Sequence, residues 1–513
     1  MAVPRPQHVR RTPISEIAAL VGAPDPRSDG VVTGVTLDSR AVLPGDLYAA
    51  LPGARAHGAE FTGSAVRSGA VAALTDPAGA DLIRGFGLDL PLLVVDHPRQ
   101  VLGAAAARVV GTEQLALHLI GVTGTNGKTT TAHLAHSALT ALGRRAGLIG
   151  TVETRIGDVR LDSVRTTPEA PELHALLAVM VERGIDTCVM EVSSHALAQH
   201  RVDGVVYDVA LFTNLSQDHL DFHADMEDYF AAKASLFTPE RARLALVCVD
   251  DPWGRRLVER SGIPVQTIGS APDADWRIGP TPSADAAAFR LTGKGADLHL
   301  RSALPGEFNV TNTAMAAAAL VLLGEDPAEV AEAVLRDPRV PGRMEIVPAP
   351  VDGPAPRVVV DYAHTPEAIR AALEALRPTT PGTLVCVTGA GGDRDRDKRR
   401  AMGAAAADVA DLVVLTDDNP RSEDPAAIRD ALLQGVQSVR GAGHRMDVVV
   451  VGDRREAIRR AVRSVWAQGT AATVAVVGKG HESGQDVGGV VHPFVDRDEV
   501  REALRLAAHG DVA

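Results

Sequence analysis

With 513 residues, 45% of them hydrophobic but only 3% aromatic, the chain is long enough for roughly three domains, with cores built on Val, Leu, Ile and Ala. Its formal net charge of -13 argues against a nucleic-acid binder, which needs a basic face for phosphates, but leaves room for a local basic pocket. Cys188, Cys248 and Cys386 lie far apart in apolar runs and form no CxxC pair; no stretch is apolar for the ~18 residues of a membrane span, and no apolar segment follows Met1–Thr12 as in a signal peptide, so a cytoplasmic protein without membrane insertion is expected.

Residues 1–112 mix short β-like runs with Gly and Pro turns, and Val31–Pro52 alternates in this way. The middle stretch, 113–338, opens with a strand at Leu115–Val122, a Gly-rich loop and a helical pattern from Thr130 to Leu142. Further apolar runs end in polar loops: Thr187–Met190 at Glu191, and Asp208–Phe212 at Thr213-Asn214. Shorter β elements fill 266–303. The last stretch, 339–513, begins around a turn at Val340-Pro341-Gly342. In it Val358–Val360, Thr383–Val387, Leu412–Leu415 and Thr473–Val477 read as buried parallel strands, with helices at Pro366–Leu376, Ile428–Val439 and Arg454–Trp466. This βα order predicts an α/β protein of three domains: a smaller N-terminal α/β domain, a central P-loop ATPase-like doubly wound sheet and a C-terminal Rossmann-like domain. Ligands of such sheets gather at the carboxyl ends of the strands, where the polar motifs sit.

The loop Gly121-Val122-Thr123-Gly124-Thr125-Asn126-Gly127-Lys128-Thr129-Thr130 lies between strand and helix. Glycines let backbone N–H groups approach phosphate oxygens, the helix N-terminus contributes its dipole, Lys128 a point charge, and the Thr129 hydroxyl a ligand for Mg²⁺. Gly124, Thr125, Asn126, Gly127, Lys128, Thr129 and Thr130 are therefore the candidate triphosphate cradle. Only five of the 52 basic residues are lysine: Lys128, Lys233, Lys294, Lys398 and Lys479. In so arginine-biased a chain, a retained lysine marks a place where an ammonium or a free amine is required.

TGTNGKTT, EVSSHAL at Glu191–Leu197, NLSQDHLDFH at Asn214–His223, DYFAAKASLF at Asp228–Phe237, GEFNVTN at Gly306–Asn312, PGRME at Pro341–Glu345 and DYAHTP at Asp361–Pro366 together resemble the Mur ligase family. The resemblance implies an ATP-dependent amide ligase of peptidoglycan synthesis, with ATP, a UDP-N-acetylmuramoyl-dipeptide and an amino acid as small-molecule substrates, Mg²⁺ as cofactor, and a monomeric enzyme. It implies catalytic roles for Lys128, Glu191, His219 and Lys233, with Thr129, Glu191, His219 and Lys233 around the metal. Asp218, Asp221 and His223 stand beside His219 as alternatives. Lys233 is implied to be carbamylated by CO₂ to N6-carboxylysine, since a carbamate supplies the anionic oxygen that an ammonium cannot. Asn309 and Asn312 are implied adenine contacts, Arg343 a triphosphate contact, and Asp361 and His364 ATP contacts from the third domain; helix capping by the two asparagines and solvent exposure of the arginine are the plain alternatives.

On the precursor side the resemblance implies Leu37, Ser39, Ala54, Arg55 and Ala56 around the UDP part. Thr166, Thr167, Ser193, Gln199 and Arg201 are implied around the muramoyl-dipeptide, with Arg165 standing where relatives often carry Asn. Asp418-Asn419-Pro420-Arg421 and Gly478-Lys479-Gly480-His481-Glu482 are similar to the segments of the diaminopimelate-adding branch. Arg394, Asp418, Asn419, Pro420, Arg421, Gly478 and Glu482 are then the implied amino-acid contacts. Arginine forks suit the distal carboxylate of diaminopimelate and carboxylates its ammonium, so lysine would leave a buried cation unpaired. A lysine-adding or other Mur-type ligase, or a non-catalytic P-loop ATP-binding regulator, are the rival readings. The regulator has no use for Glu191, His219, Lys233 and Arg343 together.

Overall fold

A computed structural model describes the chain except residues 1–2, 27, 29, 54, 282–286, 337–339, 351–352, 441–445 and 510–513. Three main sheets succeed one another along it. The first has four parallel strands in chain order, Gly34–Thr36, Asp46–Ala49, Ala72–Thr75 and Leu92–Val94. Period-two alternation sends Leu47, Ala49 and Leu74 to one core, with the helices Ile14–Val21 and Pro98–Val110, and Tyr48, Ala50 and Ala73 to another.

The central sheet has eleven strands. Seven are parallel neighbours, in the spatial order Ala146–Ile149, Thr187–Glu191, His118–Thr123, Tyr207–Phe212, Ala242–Cys248, Val265–Gly269 and Trp276–Pro280. Antiparallel strands close both edges: Glu153–Ile156 and Val159–Asp162 on one, Ala288–Gly293 and Ala296–Arg301 on the other. Both faces are buried. Cys188, Met190, Ala210 and Phe212 pack into one core, and Val189, Val209 and Leu211 into the other, which is why these strands read as continuous apolar runs. Helices Lys128–Ala141 and Glu307–Leu322 cover the second face largely with alanines, among them Ala132, Ala135, Ala314 and Ala316 to Ala319, so helix and sheet approach closely.

The third sheet runs Glu345–Val347, Arg357–Asp361, Thr473–Val477, Leu384–Thr388, Leu412–Leu415 and Asp447–Val450, parallel except for its first strand. The predicted strands are present, and Pro366–Leu376 is helical as predicted. Two features escaped the pattern reading. Asp447–Val450 is an edge strand too exposed to read as a buried run. Gly484–Val487 and Val490–Pro493 form a hairpin whose two-residue turn, Gly488-Gly489, takes left-handed φ at both positions (62° and 83°). Among the described residues no helix is long and apolar enough to cross a membrane.

Candidate active site

The loop after His118–Thr123 wraps the start of the next helix. Gly124 (φ 146°) leaves no room for a side chain, since a Cβ there would lie 1.9 Å from the Thr213 hydroxyl; at Gly127 (φ 88°) it would lie 2.4 Å from Asn312 Oδ1. Lys128 Nζ donates to the carbonyls of Gly124 (2.8 Å) and Thr125 (2.9 Å). Glu191, fully buried at the end of its strand, collects hydrogen bonds: Thr129 Oγ1 at 2.8 Å, Thr151 N at 2.7 Å and Thr151 Oγ1 at 3.0 Å. Arg343 Nη2 reaches across from the third domain to Thr129 Oγ1 at 3.1 Å. These groups line one cavity of about 480 Å³, with Asp218, His219, Lys233, Asn309, Asn312, Asp361, Tyr362 and His364 also on its wall. Burial lowers the Lys128 pKa and Arg343 adds to that, against the pull of Glu191 and Asp218.

Lys233 lies on the helix Met226–Ala234, whose N-terminus is capped by Asp225 accepting from Asp228 N. The side chain is 1% exposed, donates to Gly124 O at 2.7 Å and lies 4.6 Å from the Tyr229 ring centroid. Burial, then the neighbouring Lys128 charge, push its pKa well below the usual lysine range. His219 has left-handed φ (56°) and sits edge-on to His195 at 4.8 Å; burial pushes its pKa down to about 3. The residues around His219 divide. Asp218 meets His219 at 3.6 Å, and His364 (3.7 Å) and Lys398 (3.5 Å) from the third domain. Burial of Asp218 favours its protonated form, but the His364 hydrogen bond and the surrounding positive charges hold its pKa below the carboxylate range. His223 turns instead to Ser194 Oγ (3.0 Å) and Asp228 (3.1 Å), and Asp221 to Arg394 (3.5 Å). The oxygen donors on the cavity wall include Thr129, Thr151, Glu191 and Asp218, hard ligands that suit Mg²⁺ completed by phosphate oxygens.

Asn309 and Asn312 do not cap their helix: Gly306 occupies that position and no side chain caps the helix. Both are buried, joined by Asn312 Nδ2 donating to Asn309 Oδ1 at 3.1 Å, and Asn312 Oδ1 accepts from Thr131 at 3.3 Å. Nor is Arg343 in solvent; its guanidinium stacks 4.2 Å from the Tyr362 ring centroid. Asp361 aims that arginine indirectly, accepting Met344 N at 2.6 Å and Ala363 N at 2.8 Å.

At the carboxyl ends of the third sheet, Asn419 Nδ2 donates to Glu482 Oε2 at 2.8 Å, and fully buried Lys479 donates to Asn419 Oδ1 (3.1 Å) and Glu482 Oε2 (2.9 Å). Pro420 is buried beside them, and Gly478 admits no side chain because a Cβ would lie 2.6 Å from Asp418 Oδ2. Arg421 takes φ 51°; its Nη1 donates to Gly392 O at 2.6 Å, and its backbone pairs with the hairpin at Asp486 O (3.0 Å) and Gly488 N (2.7 Å). Tyr362 connects the two regions, because its phenol lines the large cavity and feels the charges of Glu482 and Asp418.

Three family profiles match in sequence: "Mur ligase family, catalytic domain" over residues 31–109, "Mur ligase middle domain" over 122–320 and "Mur ligase, glutamate ligase domain" over 342–480. A protein of Streptomyces avermitilis named UDP-N-acetylmuramoyl-L-alanyl-D-glutamate--2,6-diaminopimelate ligase is 53% identical over 510 residues, 98% of each chain. The chain belongs to the Mur ligase family. A protein of Leifsonia xyli subsp. xyli named UDP-N-acetylmuramyl-tripeptide synthetase is 48% identical over 98% of each chain. A solved structure titled as the diaminopimelate ligase aligns with a TM-score of 0.66 at 32% identity, covering 98% of this chain and all of that one.

In this Mur ligase the residues expected on the precursor side divide between two domains, Leu37, Ser39, Arg55 and Ala56 in the first and Thr166, Thr167, Ser193, Gln199 and Arg201 in the second. Thr167 Oγ1 donates to Glu191 O (2.9 Å) and accepts from Ser193 N (3.1 Å), and Thr166 Oγ1 lies 3.0 Å from the Thr151 hydroxyl that is bonded to Glu191, which ties these residues to Glu191. Arg201 holds Gln199 Oε1 at 2.6 Å and has an internal carboxylate partner, Glu169, at 3.0 Å, which Arg99 of the first domain also meets at 2.9 Å. Leu37 packs on the N-terminal core; Ser39 and Ala56 are half-buried and Arg55 exposed, while Ala54 lies outside the described residues. Arg165 reaches Glu169 at 4.0 Å. Arg394 stands apart from the Asn419–Glu482 contacts, paired with Asp221. Two contributors went unseen in the sequence: Thr151, in a plain Gly-Thr after its strand, and Glu169, beside a proline-bearing helix start. Lys479 carried a signal, the scarcity of lysine, that pointed to its position without its partners.

Proposed function

We propose that this Mur ligase uses ATP to join 2,6-diaminopimelate to the D-glutamyl carboxyl of UDP-N-acetylmuramoyl-L-alanyl-D-glutamate, in the cytoplasmic stage of peptidoglycan synthesis. The observation that carries the choice of amino acid is the third-sheet cluster, which offers an arginine fork at Arg421 and the carboxylate of Asp418 in one turn and brings the carboxylate of Glu482 beside them from a second loop. Fork and acceptors together fit a zwitterion. The 53% identity to a ligase of that name supports the same reading.

The three sheets divide the work: residues 1–112 hold the uridine end, 113–338 ATP, and 339–513 the amino acid. Lys128 and the loop amides hold the β- and γ-phosphates, and Arg343, stacked on Tyr362, meets the triphosphate from the third domain. Asn309 and Asn312 hold the adenine, and Asp361 and His364 complete the ATP site. Thr129, Glu191, His219 and a carbamylated Lys233 would hold Mg²⁺, which when bound neutralises phosphate charge. The low pKa of Lys233 suits carbamylation, because the neutral amine is the form that attacks CO₂.

The glutamyl carboxylate oxygen attacks the γ-phosphorus, the bond to ADP breaks, and an acyl phosphate forms. Positioning and charge neutralisation carry this step. The amine of diaminopimelate then attacks the acyl carbon and phosphate leaves, forming the amide. Asp218, gripped by His364 and Lys398, brings the third domain over the cavity so that both steps share one enclosed site.

The test is phosphate release with the UDP-dipeptide and a panel of amino acids. Diaminopimelate should support turnover strictly dependent on ATP and on both co-substrates. Preference for lysine would overturn the choice of amino acid, and ATP hydrolysis indifferent to the UDP-dipeptide would overturn the ligase.

A further inference from the structure

Lys479 is fully buried in the turn Gly478-Lys479-Gly480, where Gly478 (φ 114°) and Gly480 (φ 54°) both take left-handed backbone. A Cβ at Gly480 would lie 2.7 Å from Gly342 O and 2.8 Å from Tyr362 Cβ, so the turn is packed tightly against its surroundings. The ammonium donates to Glu482 Oε2 at 2.9 Å and Asn419 Oδ1 at 3.1 Å, and lies 3.9 Å from Asp418 Oδ1. A buried cation is tolerated only with such partners. Asn419 Nδ2 donates to the same Glu482 Oε2 at 2.8 Å, so that oxygen is engaged twice, while Oε1 takes no hydrogen bond from the described residues.

We infer that Lys479 decides which amino acid this pocket accepts, by neutralising one of its two carboxylates. The inference rests on the proposed reading of this cluster as the amino-acid pocket. Asp418 and Glu482 contribute two negative charges there, and Arg421 and Lys479 two positive ones. Of the neighbouring ions, Arg454 is fully buried on Asp496 at 2.7 Å, Asp417 is paired with Arg429, Glu423 with Arg399 and Arg394 with Asp221, while Asp393 accepts from Ser422 and Asp486 from Gly489 N toward the outer side of the loop. These four charges therefore sum to zero: Asp418, Glu482, Arg421 and Lys479. A distal zwitterion adds no net charge to them, whereas the bare ammonium of a lysine side chain leaves one positive charge in excess. Without Lys479 the balance reverses: the remaining three carry one net negative charge, a bare ammonium neutralises it, and a zwitterion leaves it uncompensated. Lys479 touches no part of the reacting carboxyl in this account; it is a positioning and specificity residue.

The experiment replaces Lys479 by Met, similar in length but uncharged, in the full-length protein. It measures kcat/KM for diaminopimelate and for L-lysine with the UDP-dipeptide acceptor, with thermal melting as a control for folding. The diaminopimelate-to-lysine preference should fall by at least about tenfold, while KM for ATP stays within about twofold. Loss of both amino acids in equal proportion would mean that Lys479 only supports the turn, and would overturn the inference. Should Lys479→Met not melt cooperatively, Lys479→Gln, which keeps a donor toward Asn419, takes its place; failure of both to fold gives Lys479 to the scaffold and likewise overturns it. Wild-type protein in the same assay separates the two readings, because wild type that ignores diaminopimelate defeats the proposed function itself.

Discussion

Replacing Arg421 by Ala removes the guanidinium fork proposed to read the distal carboxylate of diaminopimelate. One arm of that fork is already anchored on Gly392 O at 2.6 Å, so the group is oriented before the substrate arrives. A fully desolvated charge pair broken on one side costs about 2–5 kcal/mol. Arg421 is half-buried, so solvent screens the pair and the lower part of that range applies, about 2–3 kcal/mol, or roughly 30- to 150-fold in affinity. Alanine retains the Cβ, so the backbone cost of φ 51° is the same in both proteins and cancels. Steady-state phosphate release should show that rise in KM for diaminopimelate, with KM for ATP and the UDP-dipeptide little changed. Arg421→Lys should recover only part of the loss, because an ammonium cannot reproduce the planar fork. Wild-type diaminopimelate kinetics in Arg421→Ala, or an equal rise in all three KM values, would refute the reasoning.

Lys233→Ala should abolish most activity, and short carboxylic acids in the assay should partly restore it by supplying the missing oxygen donor; rescue by short amines instead would show that the ammonium was the working form. Thr151→Val removes the hydroxyl bond to Glu191 Oε2 at 3.0 Å while sparing the backbone bond to Oε1, so kcat should fall roughly tenfold with KM for diaminopimelate unchanged, and an unaltered kcat would exclude Thr151 from orienting Glu191. His174, buried between Thr112 Oγ1 (2.7 Å) and Asp203 O (3.0 Å), has its pKa pushed down to about 4 by burial, whereas the unfolded chain takes up that proton near pH ~6.5. The unfolded state thus binds more protons in the interval, and stability is lost as pH falls below about 6.5, by roughly 1.4 kcal/mol for such a histidine at about pH 5.5. His174→Gln should flatten the fall of the denaturation midpoint between about pH 7 and pH 5, and an unchanged slope would remove His174 from the acid response.

The sequence by itself determined the α/β class, the order of elements and the loop at Gly124–Thr130, because each follows from local rules: parallel strands buried on both faces are continuous apolar runs, and a phosphate loop is contiguous. Resemblance of short motifs carried the family in the same way. Tertiary structure alone decided the partners. Glu191 meets Thr151, forty positions away, and Asp218 is held by His364 and Lys398 from another domain; no periodicity encodes such long-range pairs. It also decided among neighbours, giving His219 to the large cavity while His223 turns to Ser194 and Asp221 to Arg394, since one loop of alternating Asp and His offers the same chemistry at each position and only the packing around it chooses. Lys479 stands between the two cases. Its scarcity in an arginine-rich chain marked the position, but the charge it cancels became visible only once Asp418, Asn419 and Glu482, from two separate loops, were folded around it. Burial sets the strength and sign of such contacts, and burial is a property of the folded whole.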